Sequence, residues 1–170
     1  PGIDLFIDRD IPFLKKYDTK IIVNVCGHTT EEYIDVVERL SDQPVDLLEI
    51  NISCPNVKEG GIAFGQNPKM LEEVTKEMKR HAKQPVIMKL SPNVTDITEM
   101  ARAAEAGGAD ALSMINTITG MKIDIHRRCF ALANRTGGMS GPAVHPVAVR
   151  MVYQSAQAVK IPIIGMGGIQ

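Results

Sequence analysis

The sequence predicts an α/β fold with a parallel sheet, because short apolar runs alternate along the chain with stretches of helical periodicity. Polar or glycine-rich residues follow these runs, and in a barrel the carboxyl ends of the strands meet on the face that holds the active site. The 170 residues contain five such strand–helix units, whereas an eightfold barrel typically needs about 250 residues. We therefore expect either an open doubly wound sheet or part of a (β/α)8 TIM barrel, and the abrupt chain ends favour the barrel excerpt.

The first half of the chain contains two predicted strands and two predicted helices. Residues 20–26 form a β-branched apolar run that is typical of a buried strand. Thr29 or Thr30 can cap the helix that follows, since a threonine hydroxyl accepts a hydrogen bond from a free amide of the first turn. Residues 47–53 are the second apolar run. An Asn-Pro pair then opens a helix over about residues 67–82, because proline is favoured in the first turn.

The second half of the chain continues the alternation. Residues 85–90 predict a third strand, and the helix over residues 95–106 ends at Gly107 and Gly108, which suit the left-handed conformation after a helix. Residues 111–116 predict a fourth strand. The last helix and the last strand are predicted at residues 145–159 and 161–165.

Residues 117–143 lack helical periodicity and are rich in glycine and charge. We predict an irregular segment there. A long irregular segment inside a compact domain usually serves a site or a lid. The glycines within residues 137–141 either let the backbone approach a ligand closely or shape the loop.

Composition and charge exclude several functional classes. The net charge is −1, from 19 basic and 20 acidic residues without a basic stripe, so we expect no nucleic-acid partner. No apolar run approaches the roughly 20 residues that span a bilayer, so we expect no membrane partner. The three cysteines and four histidines lack metal-ligand spacing, so we predict no metal site. The odd cysteine count fits a reducing cytoplasm, which is the expected location.

The most reactive candidate side chain is Cys54, which follows the second predicted strand and precedes a proline. Its thiol can act as a base or a nucleophile once deprotonated. A lone cysteine is also commonly a small buried hydrophobe. The flanking amides of Asn51 and Asn56 favour the functional interpretation, because amides at a buried strand end need something to bind.

Lys89 lies inside the third predicted strand, where a buried amine costs several kcal/mol unless it is paired or reaches solvent. We interpret it as an amine that points into the barrel mouth toward an anionic or electron-rich ligand. A Schiff-base lysine and a lysine whose stem is buried while its amine reaches water are the alternatives.

Three further groups at strand ends are candidates for ligand binding. Asn116 and Thr117 supply an amide and a hydroxyl after the fourth strand, although the same pair can simply form an Asx or ST turn. Asn24 is a polar residue in an otherwise apolar strand. Gly167 and Gly168 belong to a glycine turn after the last strand, and backbone N–H groups of such a turn can cradle a phosphate.

These motifs together resemble the dihydroorotate dehydrogenase family, in its class 1 branch. The matching segments, in the family's order, are NISCPN at 51–56, VIMKLSPN at 86–93, MINT at 114–117, TGGMSGPA at 136–143 and PIIGMGG at 162–168. The resemblance implies an FMN-dependent (β/α)8 barrel that oxidises dihydroorotate to orotate in de novo pyrimidine biosynthesis. Residues 1–170 would be the central part of that single FMN-binding domain, from about strand 3 to strand 7. The segments on either side would bring a substrate loop and the second half of the phosphate site.

The resemblance also implies a role for each matching residue. Cys54 would be the catalytic base, with hydride transfer to FMN. The substrate would be bound by Asn51, Asn56, Asn116 and Thr117. The flavin would be contacted by Asn24, Asn51, Lys89, Ile115, Gly141, Gly167 and Gly168.

Two loops, at residues 57–65 and 136–146, resemble class 1B more than class 1A. Class 1B implies a homodimeric core, an electron-transfer subunit that carries FAD and an iron–sulfur cluster, and NAD as acceptor, whereas class 1A homodimers use fumarate. Two other hypotheses remain: a Schiff-base lyase or aldolase that uses Lys89 on the same barrel, and a non-catalytic truncated barrel. Flavin in the purified protein would distinguish them.

Overall fold

The computed structural model describes residues 2–52 and 64–170. Cys54 and Asn56 therefore lie outside the described residues, as does the end of the predicted second strand. Among the described residues, the strands are β1 (Ile22–Val25), β2 (Leu47–Asn51), β3 (Val86–Lys89), β4 (Ala111–Met114), β5 (Ile118–Met121), β6 (Ile123–Asp124), β7 (Cys129–Phe130), β8 (Thr136–Met139) and β9 (Ile163–Gly165). The α-helices are α1 (Ile3–Leu5), α2 (Ile11–Leu14), α3 (Thr30–Ser41), α4 (Pro68–His81), α5 (Ile97–Ala106) and α6 (His145–Ala158).

Five parallel strands form the main sheet in the order β1-β2-β3-β4-β9, so each strand pairs with the next parallel strand along the chain. A doubly wound sheet instead reverses its strand order at a switch point and carries helices on both faces. Here α3 packs on α4, α4 on α5 and α5 on α6, as a single outer layer. The arrangement is that of part of a (β/α)8 barrel, and the open doubly wound alternative is wrong.

The alternation of side chains along a strand separates an apolar face from a polar one. Leu48, Ile50, Met88 and Leu112 are fully buried and belong to the core beneath the helices. Glu49, Asn51, Lys89 and Ser113 alternate with them and are polar. In register, Asn24 pairs with Glu49, Asn51 pairs with Lys89, and Lys89 pairs with Ser113.

The helices begin at capping residues. Thr29 accepts a hydrogen bond from the Glu32 amide, and Asn67 accepts from the amides of residues 69 and 70. The third predicted helix begins at Ile97 rather than residue 95, because Asp96 caps it. Within the described ranges, no helix has both the length and the apolar character to cross a membrane.

The prediction of an irregular segment at residues 117–143 is wrong in one respect. β5 pairs antiparallel with β8, and β6 pairs antiparallel with β7. These strands are two to four residues long and largely exposed, so they lack the alternation of apolar and polar residues that reveals a half-buried strand. The four strands form an antiparallel flap, which we define as residues 118–139, beside the carboxyl ends of the parallel strands.

Candidate functional site

Polar side chains from neighbouring strands meet at the carboxyl end of the parallel sheet. Lys89 ends β3, and its Nζ lies 3.3 Å from Oε2 of Glu49 on β2. The same Nζ lies 3.3 Å from Sδ of Met166, in the turn after β9. The Lys89 and Glu49 side chains are only 17% and 12% exposed. The amine therefore lies against a carboxylate, and little of the Lys89 side chain is exposed to water.

Glu49 is a central residue of this site that the sequence interpretation did not single out. Its Oε2 also accepts a hydrogen bond from Nδ2 of Asn24 on β1. Burial raises the pKa of the Glu49 carboxyl, but nearby Ser113, the Asn24 amide and the Lys89 charge together lower the pKa below its ordinary value of 4.5. The Ser113 hydroxyl is fully buried and does not form a well-aligned hydrogen bond of its own. Glu49 is thus ionised at neutral pH. Its role in the site could have been predicted from the sequence, because it is a charged residue within an apolar strand.

Amide side chains link three of the strands above this ion pair. Nδ2 of Asn116, which follows β4, donates to Oδ1 of Asn51 at the end of β2 over 3.2 Å. Nδ2 of Asn51 lies 3.6 Å from Sγ of Cys26, and that thiol lies 3.3 Å from Oδ1 of Asn24. The buried Tyr33 donates its hydroxyl to the Asn51 carbonyl oxygen over 2.7 Å. This network fixes Asn51 at the centre of the site, and Cys26 is a second member that the sequence interpretation missed.

Thr117 lies at the edge of the site, against the flap. It is exposed, and its Oγ1 lies beside Gly138 of β8. Nδ2 of Asn93 donates to the Thr117 carbonyl oxygen over 3.0 Å, and Oδ1 of Asn93 accepts from the Thr119 amide over 2.9 Å. Asn93 therefore ties the loop before α5 to the start of β5 and sets where Thr117 is placed.

Three glycines with positive φ lie together beside the start of α6, one in the segment before α6 and two in the turn after β9, and we call this group the glycine turn. Gly141, Gly167 and Gly168 have φ angles of 94°, 125° and 70°. A Cβ on Gly168 would lie 2.4 Å from the Gly141 carbonyl oxygen, so only glycine allows these two backbones to approach so closely. Nδ1 of His145, the first residue of α6, lies 3.1 Å from the Gly167 carbonyl oxygen.

Ile115 connects the glycine turn to the strand ends. It is buried, and its amide donates to the Met166 carbonyl oxygen over 3.1 Å. Its Cγ1 would lie 3.3 Å from a Cβ on Gly167. The predicted site residues thus fall into two adjoining groups, the polar network around Asn51 and Lys89 and the glycine turn, whereas Cys54 and Asn56 lie outside the described residues.

The donors in this site fit an FMN molecule. Backbone N–H groups of a glycine turn at a helix N-terminus suit a phosphate, and the close approach of Gly168 to the Gly141 backbone leaves no room for a side chain at position 168. A paired amine and several amides suit the polar edge of an isoalloxazine ring. In the part of the chain that the structure describes, no group of three or more His, Cys, Asp or Glu side chains could hold a metal ion.

Comparison with known proteins agrees with the motifs. The family model described as dihydroorotate dehydrogenase matches residues 1–170. The chain is 75% identical over 170 residues to the "Dihydroorotate dehydrogenase B (NAD(+)), catalytic subunit" of Lachnoclostridium phytofermentans, covering 100% of this chain and 57% of that protein. It is 65% identical over 169 residues to the protein of the same name from Alkaliphilus metalliredigens, covering 99% of this chain and 56% of that protein. The chain therefore spans between half and two thirds of the length of these relatives.

Proposed function

This chain belongs to the dihydroorotate dehydrogenase family, as its motifs predicted, and on that premise we propose that the protein containing it oxidises dihydroorotate to orotate in pyrimidine biosynthesis. One observation supports this proposal above the others. The Asn51–Asn116 amide pair, the Lys89–Glu49 ion pair and the glycine turn all lie at the carboxyl end of one parallel sheet. In barrels of this class that end holds the active site.

FMN is the proposed cofactor, and when bound it supplies the acceptor for the hydrogen and electron pair that leave C6 of dihydroorotate. The residues proposed to hold it are Asn24, Asn51, Lys89, Ile115, Gly141, Gly167 and Gly168. The glycine turn would bind the phosphate through backbone N–H groups and the α6 N-terminus. The Lys89 ammonium would stabilise negative charge at the ring.

Asn51, Asn56, Asn116 and Thr117 are the proposed substrate-binding residues. The substrate has a carboxylate and ring amides, which need fixed donors and acceptors. The hydrogen bonds that link Asn51 to Asn116 and to the Tyr33 hydroxyl restrict the position of these groups before substrate binds. Such preorganisation lowers the entropy that binding has to remove.

Cys54 is the proposed catalytic base. Its thiolate would take the proton from C5, so that loss of the C6 hydrogen with its electron pair leaves the C5–C6 double bond of orotate. Because thiols ordinarily titrate near pH 8.5, activity should rise through mildly alkaline pH.

The proposed electron acceptor is NAD, reached through a partner subunit. The name of the relatives, "Dihydroorotate dehydrogenase B (NAD(+)), catalytic subunit", specifies NAD and a catalytic subunit, and a catalytic subunit implies a partner. The partner would hold FAD and an iron–sulfur cluster, and the catalytic subunits would form a homodimeric core. Direct use of fumarate without a partner would contradict this part of the proposal.

The test uses the full-length protein that contains this chain. The purified protein should be yellow, dihydroorotate added without oxygen should bleach the flavin absorbance, and NAD should restore it only when the partner subunit is present. If the protein is colourless and borohydride links its substrate covalently to Lys89, the Schiff-base hypothesis is favoured instead.

A further inference from the structure

The proposed reaction gives no role to Glu49, although its carboxylate contacts Lys89. We propose that Glu49 is a positioning residue that holds the Lys89 ammonium in the barrel mouth and offsets part of its positive charge. The reduction potential of bound FMN is therefore lower than it would be beside an unpaired Lys89. This inference rests on the proposed function, because it needs FMN beside Lys89.

The geometry leaves Lys89 little freedom. Oε2 of Glu49 lies 3.3 Å from its Nζ on one side, and Sδ of Met166 lies 3.3 Å away on another. Glu49 and Lys89 lie on adjacent strands, with Asn51 paired to Lys89 in register and Glu49 two residues before Asn51. The pair thus connects two rigid strands, and neither side chain can leave without breaking a contact.

The Glu49 carboxylate is itself held in place. The Asn24 amide of β1 donates to the same Oε2 that faces Lys89. One oxygen therefore accepts from two strands, which directs the negative charge at Lys89. Because both side chains are mostly shielded from solvent, water and salt screen this pair less than they screen a surface ion pair.

The charges predict opposite effects for the two partners. A lone ammonium beside a flavin stabilises the more negative, reduced form, so removing Lys89 should lower the reduction potential. A carboxylate beside that ammonium opposes its field, so removing the Glu49 charge should raise the potential. General damage to the site would instead weaken binding of oxidised and reduced FMN together.

The experiment is a redox titration of FMN in the full-length holoprotein carrying Glu49→Gln, which keeps the shape of the side chain and removes its charge. We expect reduced FMN to gain about tenfold in affinity relative to oxidised FMN, which raises the midpoint potential by about 30 mV for a two-electron couple. Glu73→Gln, on an exposed position of α4, is the matched control and should leave the potential unchanged. An unchanged or lower potential in a Glu49→Gln protein that retains FMN would overturn the inference.

A second variant covers the case in which Glu49→Gln fails to fold or loses FMN. The double variant Glu49→Gln with Lys89→Met removes both charges, so it buries no uncompensated ion. We expect it to melt at a higher temperature than Glu49→Gln alone and, because the ammonium is gone, to hold bound FMN at a potential no higher than that of the wild type. If the double variant is no more stable than Glu49→Gln, the pairing inference is wrong. A wild-type protein without flavin would overturn the proposed function as well. If the protein binds flavin but its reduction potential is the same with and without the Glu49 charge, only this inference is overturned.

Discussion

Gly138 in β8 lies directly against Thr117, so closely that a Cβ at position 138 would fall 2.2 Å from Oγ1 of Thr117. Such a contact is far inside van der Waals distance. The flap can therefore cover the end of β4 only because residue 138 has no side chain.

The variant Gly138→Ala should move Thr117 or push the flap away. We expect a loss of about 1–3 kcal/mol of stability, the usual cost of overpacking, and a higher KM for dihydroorotate. Thermal melting and steady-state kinetics of the full-length enzyme measure both. Gly120→Ala is the matched control in the same ladder, because its Cβ would have its nearest neighbour at 3.8 Å. Equal behaviour of the two variants would show that the close approach has no consequence.

Replacing Cys54 with alanine tests the proposed base. FMN should stay bound while the oxidation rate falls by about 100- to 10,000-fold, because proton abstraction loses its acceptor. Cys54→Ser should keep partial activity that requires higher pH, since a hydroxyl is a weaker acid than a thiol. Cys129→Ala, on the exposed flap, is the control. Full activity of Cys54→Ala at neutral pH would remove Cys54 from the mechanism.

The ionised state of Glu49 predicts how stability depends on pH. Its folded-state pKa lies below the ordinary 4.5, so the stabilisation that it contributes is present above that pH and is lost as the pH falls through the lower, folded-state pKa. Wild-type protein should therefore exceed Glu49→Gln in stability most at neutral pH, by about 1–3 kcal/mol, because the variant leaves the shielded Lys89 ammonium without its carboxylate. Urea unfolding at neutral and acid pH measures the difference. A difference that grows in acid would contradict the assigned charge state.

The contact between His145 and the glycine turn predicts an effect on cofactor affinity. A carbonyl oxygen can only accept, so Nδ1 of His145 carries the proton in its 3.1 Å contact with the Gly167 carbonyl oxygen. His145→Ala should loosen the turn and raise the Kd for FMN about two- to tenfold, from a net hydrogen bond of about 0.5–1.5 kcal/mol. Fluorescence titration of the apoprotein with FMN measures the Kd. His126→Ala, on the exposed flap, should leave it unchanged; an equal Kd for both variants would rule out this role.

The sequence predicted most of the parallel sheet and its helices, because their signals are local. The apolar runs, the cap at Asn67 and the glycines after α5 each depend on neighbours within a few residues. The sequence also located Asn51, Lys89, Asn116 and the glycine turn at strand ends. It did not reveal the flap, whose strands are too short and too exposed to show a period.

Sequence alone therefore determined which polar residues lie at the carboxyl ends of strands, and the motifs identified the family. Tertiary structure decided which of those residues touch. Glu49 meets Lys89 across 40 positions of chain and Met166 meets Lys89 across 77, and Cys26 joins the amide network only through the pairing of β1 with β2. The physical reason is that a side chain's partner across a parallel sheet depends on strand order and register, which are set by packing of the whole core rather than by neighbouring residues.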